Sequence, residues 1–80
     1  MSTLSIKFEP TAVDVSVSAH ALHVVLADGR ELSAPLAWFQ RLEQATEPQR
    51  RNWRLIGGGI GIHWPDIDED ISIESLLSIR

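Results

Sequence analysis

Cysteine and tyrosine are both absent from this sequence, and methionine occurs once. Because there is no cysteine, the chain cannot form a disulfide, and it has no thiolate to act as a nucleophile or zinc ligand. No apolar run approaches the roughly 18 residues that a membrane-spanning helix needs, and the first residues lack the pattern of a signal peptide. We therefore expect a cytoplasmic protein without a membrane anchor, stabilised by hydrophobic packing.

Positive charge is also scarce, with 7 basic residues against 11 acidic ones and a formal net charge of -4. Phosphate binding depends on accumulated lysine and arginine, so we expect no direct binding of nucleic acid. Five of the basic residues lie between positions 30 and 54, whereas five acidic residues lie between positions 66 and 74. This separation predicts either a dipolar surface or charges that only solvate a small domain.

The chain is long enough for one small domain. Its 80 residues are 44% hydrophobic and 22% charged, which is an ordinary globular composition. We assign residues 12–80 to a single domain. Residues 1–11 have weak periodicity and are interpreted as an N-terminal tail or an edge strand.

The first predicted hairpin follows a strand in which Val13, Val15 and Val17 alternate with polar residues, the pattern of a strand with one buried face. The next strand covers Leu22 to Leu26 and leads into a three-residue loop, Ala27-Asp28-Gly29, with Gly29 in the left-handed conformation. This loop length brings apolar side chains together on one face. The resulting pairs are Val24 with Leu32 and Leu22 with Ala34.

A second hairpin is predicted around the glycine run at positions 57 to 59. A two-residue turn at Gly58-Gly59 aligns the flanking strands so that apolar residues share one face. On the other face of this hairpin, Arg54 lies opposite His63. The pairs on the apolar face are Leu55 with Ile62 and Trp53 with Trp64.

Helical spacing appears in three places. One short amphipathic helix is indicated by apolar residues three apart, beginning at Leu36 and continuing through Phe39 and Leu42. Thr46 and Gln49 have the spacing of a capping box, and Ser72 is a plausible N-cap for the last helix, after a polar connection from Asp66 to Asp70. The overall prediction is an α+β fold, with a small antiparallel sheet of two hairpins and about five strands, plus two or three short helices.

The run from Trp53 to Ser72, WRLIGGGIGIHWPDIDEDIS, closely resembles the bacterial domain of unknown function 2442 family. Leu26-Ala27-Asp28-Gly29-Arg30 and Pro35-Leu36-Ala37-Trp38-Phe39 are similar to that family's hairpin and following Pro-Leu-x-Trp segment. The resemblance covers Ala12 to Leu77 and implies a small α+β domain. It supplies no catalytic residue to carry over. Longer relatives carry a helix-turn-helix after this domain, and relatives are often encoded beside another small protein in a suspected toxin and antitoxin arrangement.

Two patterns that bind ligands in other proteins are incomplete here. A dinucleotide fingerprint could begin at Gly57, but Ile62 occupies the position of its third glycine, and no lysine follows as in a phosphate-binding Walker loop. The spacing Asp66-x-Asp68-x-Asp70 imitates half of a calcium loop. Ile71 replaces the glycine of that loop, and Leu77 stands where its bidentate glutamate belongs. We expect no cofactor and no metal.

His63, together with Asp66, could be considered as a general base or a metal ligand, since imidazole titrates near neutrality. The predicted register places it beside Arg54, which disfavours protonation and offers no ligand. No serine lies in a nucleophile elbow. We therefore predict that the protein is not an enzyme.

A binding role for aromatic and acidic side chains fits better. Trp53 and Trp64 are predicted to pack in the core, whereas Trp38 and Phe39 cannot both be buried on a narrow helical stripe. The predicted partner-binding residues are Trp38, Asp66, Asp68, Glu69 and Asp70.

These observations favour a small acidic protein-interaction module. More specifically, we expect this protein to be the antitoxin-like partner of another small protein. The partner is expected to be a protein, basic in charge and encoded nearby. The alternative is a regulatory or ligand-sensing domain, related to the N-terminal domains of helix-turn-helix transcription regulators. The oligomeric state is left open.

Overall fold

The computed structural model describes residues 10–78, so most of the predicted tail or edge strand at residues 1–11 lies outside the described residues. The predicted α+β fold is confirmed, with six strands in the described range rather than about five, and three short helices. The strands are β1 Ala12–Val17, β2 Ala21–Leu26, β3 Glu31–Pro35, β4 Arg54–Ile56, β5 Gly61–Trp64 and β6 Glu69–Ser72. The helices are α1 Gln40–Glu43, α2 Glu47–Arg51 and α3 Ile73–Ser78.

The first three strands form one antiparallel sheet in the order β1-β2-β3. The predicted register between β2 and β3 is confirmed, because Val24 lies opposite Leu32. The loop is closed by the Leu26 N–H, which donates to the Arg30 carbonyl at 2.8 Å. Gly29 has φ of 95°, so it supplies the left-handed conformation that the loop requires.

The alternation predicted for β1 is wrong at its first position. The register shifts between Ala12 and Asp14, which leaves Val13 in a bulge, 55% exposed. Ala12 takes the inward position instead, while Val15 is buried as predicted. A bulge adds one residue to a strand and so reverses which side chains face inward beyond it.

The last three strands form a second antiparallel sheet, in the order β4-β5-β6. The predicted alignment of β4 with β5 is confirmed, because Leu55 lies opposite Ile62. The predicted two-residue turn is wrong. The strands end at Ile56 and Gly61, and the connection contains three glycines in succession with positive φ, Gly57, Gly58 and Gly59.

Strand β6 corrects the prediction of a polar connection through Asp70. Only the segment between Trp64 and Glu69 is a turn, and the chain then pairs with β5, placing Ile71 opposite Ile62. The buried Ile71 between exposed Asp70 and Ser72 suits a strand, and pairing with β5 extends it into the acidic run. Ser72 then caps α3 as predicted, its Oγ accepting from the Ser75 N–H at 3.0 Å.

The single helix predicted from Leu36 to Leu42 is divided in two. Residues Leu36–Trp38 form one 3-10 turn, and α1 begins only at Gln40, because Phe39 has non-helical dihedrals of φ -126° and ψ 85°. Leu36 and Leu42 nevertheless both reach the core. The capping box at the start of α2 is confirmed, with Thr46 and Gln49 exchanging hydrogen bonds of 3.3 and 2.9 Å.

Both sheets contribute to one hydrophobic core, and they meet at a glycine. Gly59 is buried against β1, where a Cβ atom would lie 2.6 Å from the Ala12 carbonyl oxygen. Only a residue without a side chain permits this approach. The buried core residues are Ala12, Val15, Leu22, Val24, Leu26, Leu36, Leu42, Ile62, Trp64, Ile71 and Ile73.

Candidate interaction surface

The three tryptophans occupy different environments. Trp64 on β5 is fully buried, and its indole N–H donates to the Arg50 carbonyl at 3.1 Å. Trp53, just before β4, is partly buried and packs against the same core. Trp38 is 53% exposed. The structure therefore places Trp53 and Trp64 with the core and leaves Trp38 at the surface, as the sequence indicated.

Trp38 is held at the surface by its neighbours in the chain. It ends the 3-10 turn that begins with the buried Leu36, and the next residue, Phe39, is half-buried against the core. Anchors on both sides restrict the backbone that carries the indole. An indole has only two χ angles, so on an anchored backbone it loses little conformational entropy when a partner covers it.

The four predicted acidic residues do not form one cluster. Asp66 and Asp68 lie in the turn between β5 and β6 and are exposed. Glu69 and Asp70 are successive residues of β6, so their side chains point to opposite faces of the sheet. Glu69 lies opposite Trp64 and is half-buried, whereas Asp70 lies opposite His63 on the outer face.

The acidic turn is fixed by contacts with the helical segment. Arg41 of α1 donates from Nη1 to the Asp68 carbonyl at 2.7 Å, and Asn52 donates from Nδ2 to Asp66 Oδ2 at 3.0 Å. Arg41 is three residues after Trp38, so these bonds join the segment that carries the exposed indole to the acidic turn. Acidic and basic parts of the chain are therefore in contact here, rather than fully separated as a dipolar surface.

Arg50 has a structural role that the sequence did not reveal. Its guanidinium donates to the carbonyls of Leu42 and Glu43 at 3.0 and 2.6 Å. These are carbonyls at the end of α1, which find no partner within that short helix; the Leu42 carbonyl also accepts from the Ala45 N–H, just beyond it, at 3.2 Å. A basic residue that caps a different helix depends on tertiary placement, so no local sequence signal could identify it.

His63 and Asp70 form a pair that the sequence interpretation missed. The His63 Nδ1 is hydrogen-bonded to Asp70 Oδ1 across β5 and β6. Arg54 is the cross-strand neighbour of His63 on the other side, as predicted. The missing signal was β6 itself, because Asp70 comes opposite His63 only if the acidic run is extended and paired. Within residues 10–78, no group of three or more histidine and acidic side chains is arranged to hold a metal ion.

Comparison with known proteins agrees with the sequence pattern. A family profile described as "Protein of unknown function (DUF2442)" matches residues 12–80. The chain belongs to the DUF2442 family. No curated protein matches the chain.

A solved structure extends this assignment to the fold. The crystal structure of a protein of unknown function from Rhodospirillum rubrum ATCC 11170 is similar to this DUF2442 chain, with 30% sequence identity and a TM-score of 0.76. The match covers 89% of this chain and 88% of the other. The shared fold therefore includes both sheets of this DUF2442 domain. Within residues 10–78, no helix has the length and apolar character needed to cross a membrane.

Proposed function

We propose that this DUF2442 protein is a cytoplasmic protein-interaction module rather than an enzyme. It docks a basic partner protein through a surface formed by Trp38 and the acidic turn that contains Asp66 and Asp68, with Glu69 at its margin. The carboxylate of Asp70 lies on the outer face of the second sheet, bonded to His63, and is not part of this surface. When the partner is a small protein encoded nearby, the module has an antitoxin-like role.

The exposed indole of Trp38 is the observation that supports this proposal most directly. The protein buries Trp64 completely and Trp53 in part, yet it presents the third indole to solvent with 53% exposure. Tryptophan is enriched among the few residues that contribute most of the binding free energy in protein interfaces. Leu36 and Phe39 anchor the backbone on either side of Trp38, which makes this indole suitable for that role.

Charge supports the choice of a basic partner. The chain has a formal net charge of -4, and the exposed carboxylates of Asp66 and Asp68 lie in the turn that Arg41 and Asn52 hold in place. Complementary charge increases the rate of association and selects the partner, while exposed aromatic residues supply more of the affinity. Removal of the carboxylates should therefore slow association and reduce its dependence on salt.

The test begins with the immobilised wild-type chain and an extract of the native organism. A protein retained in stoichiometric amount is purified, and its affinity is measured for the wild type, Trp38→Ala, and the double variant Asp66→Asn with Asp68→Asn. The control is Leu77→Ala, which also removes an exposed apolar side chain.

We expect Trp38→Ala to weaken binding at least about 30-fold, since interface hot spots contribute about 2 kcal/mol or more. The double aspartate variant should weaken it less and mainly lower the association rate. Leu77→Ala should bind as the wild type does. The proposal is contradicted if no stoichiometric partner is retained, or if the partner binds every variant equally.

A further inference from the structure

The arginines of this domain differ in whether the guanidinium makes a hydrogen bond or an ion pair. Residues 10–78 contain five arginines, and four of them make hydrogen bonds or ion pairs. In that range Arg54 is the one whose guanidinium makes neither. The four engaged contacts are Arg30 with Asp28, Arg41 with the Asp68 carbonyl, Arg50 with the carbonyls of α1, and Arg51 with Glu47.

Arg54 is exposed on the outer face of the second sheet, directly opposite His63. Directly opposed side chains on antiparallel strands have Cβ atoms about 5 Å apart. The imidazole is positioned from its other side, because Nδ1 is hydrogen-bonded to Asp70. Its side chain remains 27% exposed. The row across the sheet is therefore a cation with no hydrogen bond or ion pair to residues 10–78, an oriented imidazole and a carboxylate that holds it.

We propose that Arg54 and His63 bind a carboxylate of a partner protein. The Arg54 guanidinium offers parallel N–H donors in the geometry that matches a carboxylate, and the imidazole beside it adds a donor at Nε2 only in its protonated form, since Nδ1 is bonded to Asp70. Asp70 is a positioning residue: it occupies Nδ1 and so leaves Nε2 for the ligand. Charge complementarity selects a carboxylate as occupant, because the Arg54 guanidinium forms no ion pair with any of residues 10–78.

The surface beside Arg54 defines the partner further. Ile56 is two residues along β4 on the same face and is 40% exposed. Its side chain covers Gly61, where a Cβ atom would lie 3.0 Å from Ile56 Cγ1. The corresponding outer face of the first sheet instead carries Asp14 and Glu31 on either side of Val25, a row with two carboxylates and no arginine to bind a third. The site therefore fits an acidic residue next to an aliphatic one.

This inference rests on the proposed function only in taking the partner to be a protein, and it adds a second docking point separate from Trp38. The test uses the full chain labelled with 15N, titrated with a peptide probe at one mildly acidic pH. The probe is the capped peptide acetyl-Glu-Ala-Leu-amide. The matched control probe is acetyl-Gln-Ala-Leu-amide, which differs only in its charge.

We expect the glutamate peptide to shift the amide signals of residues 54–56 and 61–63 in a saturable way. The glutamine peptide and the variant Arg54→Gln should each bind at least about fivefold more weakly, which corresponds to about 1 kcal/mol. Arg51→Gln is the control variant, because Arg51 already contacts Glu47. It should bind as the wild type does. Equal binding by Arg54→Gln, equal binding of the two peptides, or shifts confined to other residues would overturn the proposal.

The positioning role of Asp70 has its own measurement. Asp70→Asn should change the ring 15N shifts of His63 while leaving the amide spectrum of the first sheet unchanged. Unchanged ring shifts would exclude that role. The two proposals can fail separately, since peptide binding at Arg54 does not require Trp38, and loss of partner binding in Trp38→Ala does not require Arg54.

Discussion

The two sheets of this protein are similar in topology and differ in what stabilises them. Both are antiparallel with three strands in sequential order. The first has strands of 5 or 6 residues joined by a tight loop, whereas those of the second have 3 or 4 residues. The short strands depend on tertiary contacts from Trp64, Gly59 and Arg50. Local sequence signals therefore set the register of the first sheet, whereas packing sets the position of the second sheet and of its charged outer face.

Loss of the central indole should have the largest effect on the second sheet. Trp64→Ala removes a fully buried side chain and its hydrogen bond to Arg50, and we expect it to lower the free energy of unfolding by about 3–5 kcal/mol. Trp38→Ala should lower it by no more than about 0.5 kcal/mol, because the indole is exposed. Urea unfolding measures both. If Trp64→Ala does not fold, Trp64→Phe provides the comparison, with an expected loss of about 1–3 kcal/mol.

The contact between the sheets is tested at the glycine turn. Gly59→Ala forces a Cβ against the Ala12 carbonyl at a φ of 102°, and we expect a loss of about 2–4 kcal/mol. Gly58→Ala is the matched control, since its φ is 71° but nothing lies within 4 Å of the added Cβ. It should cost only about 1 kcal/mol for the left-handed backbone. Equal losses in thermal unfolding would show that the sheets do not depend on this close approach.

Two adjacent arginines sharpen the comparison further. Arg50→Gln removes the guanidinium that caps α1, and we expect a loss of about 1–3 kcal/mol. Arg51→Gln removes an exposed helical ion pair with Glu47, 3.5 Å long, and should cost at most about 0.5 kcal/mol. Chemical unfolding of both variants at one salt concentration gives the two losses in the free energy of unfolding. A larger loss for Arg51→Gln would contradict the assignment of Arg50 as the cap.

The acidic turn contains a residue whose replacement should stabilise the protein. Asp68 has φ of 51°, in the left-handed region that glycine adopts without steric cost. Its contact with Arg41 uses the backbone carbonyl, so Asp68→Gly retains it. We expect a gain of up to about 1 kcal/mol in thermal unfolding. Asp66→Gly should instead destabilise, because it breaks the bond to Asn52; a similar gain there would show that φ at position 68 is not the cause.

The smallest effect concerns the loop of the first sheet. The backbone N–H and the guanidinium of Arg30 both donate to the Asp28 carboxylate. These bonds, the backbone one first in importance, lower the pKa of that carboxyl below its ordinary value. A lowered folded-state pKa stabilises the protein above the ordinary pKa, and this stabilisation is lost as pH falls through the lowered one. Asp28→Asn should therefore unfold at slightly lower urea than the wild type at neutral pH. A difference that persists fully in strong acid would contradict this.

The first sheet was largely predictable because its determinants are local. The Asp28-Gly29 loop and the alternation of β2 and β3 together select one register, and the same reasoning aligned Leu55 with Ile62. The bulge at Val13 was not predictable, since the valines alternate perfectly along the sequence. Ala12 faces inward in place of Val13, and only its contact with Gly59 explains this. Strand β6 was missed because its first two residues are acidic and its extended form depends on β5.

The candidate surfaces, too, were predictable where local sequence determines them and not where tertiary contacts do. The exposure of Trp38 was indicated by the narrow stripe it shares with Phe39, although its binding role stays a prediction. The pairing of His63 with Asp70 and of Arg41 with the acidic turn required the sixth strand and the placement of α1. Neither can be inferred from spacing along the chain, because the partners are 7 and 27 positions apart and meet only after the second sheet has formed.

The most direct test of the interaction role combines two measurements on Trp38→Ala, its affinity for the purified partner and its free energy of unfolding. If Trp38 is a docking residue, affinity should fall at least about 30-fold while unfolding changes by no more than about 0.5 kcal/mol. A loss of several kcal/mol in stability, or unchanged affinity in a stably folded variant, would contradict the claim that this indole is presented for a partner.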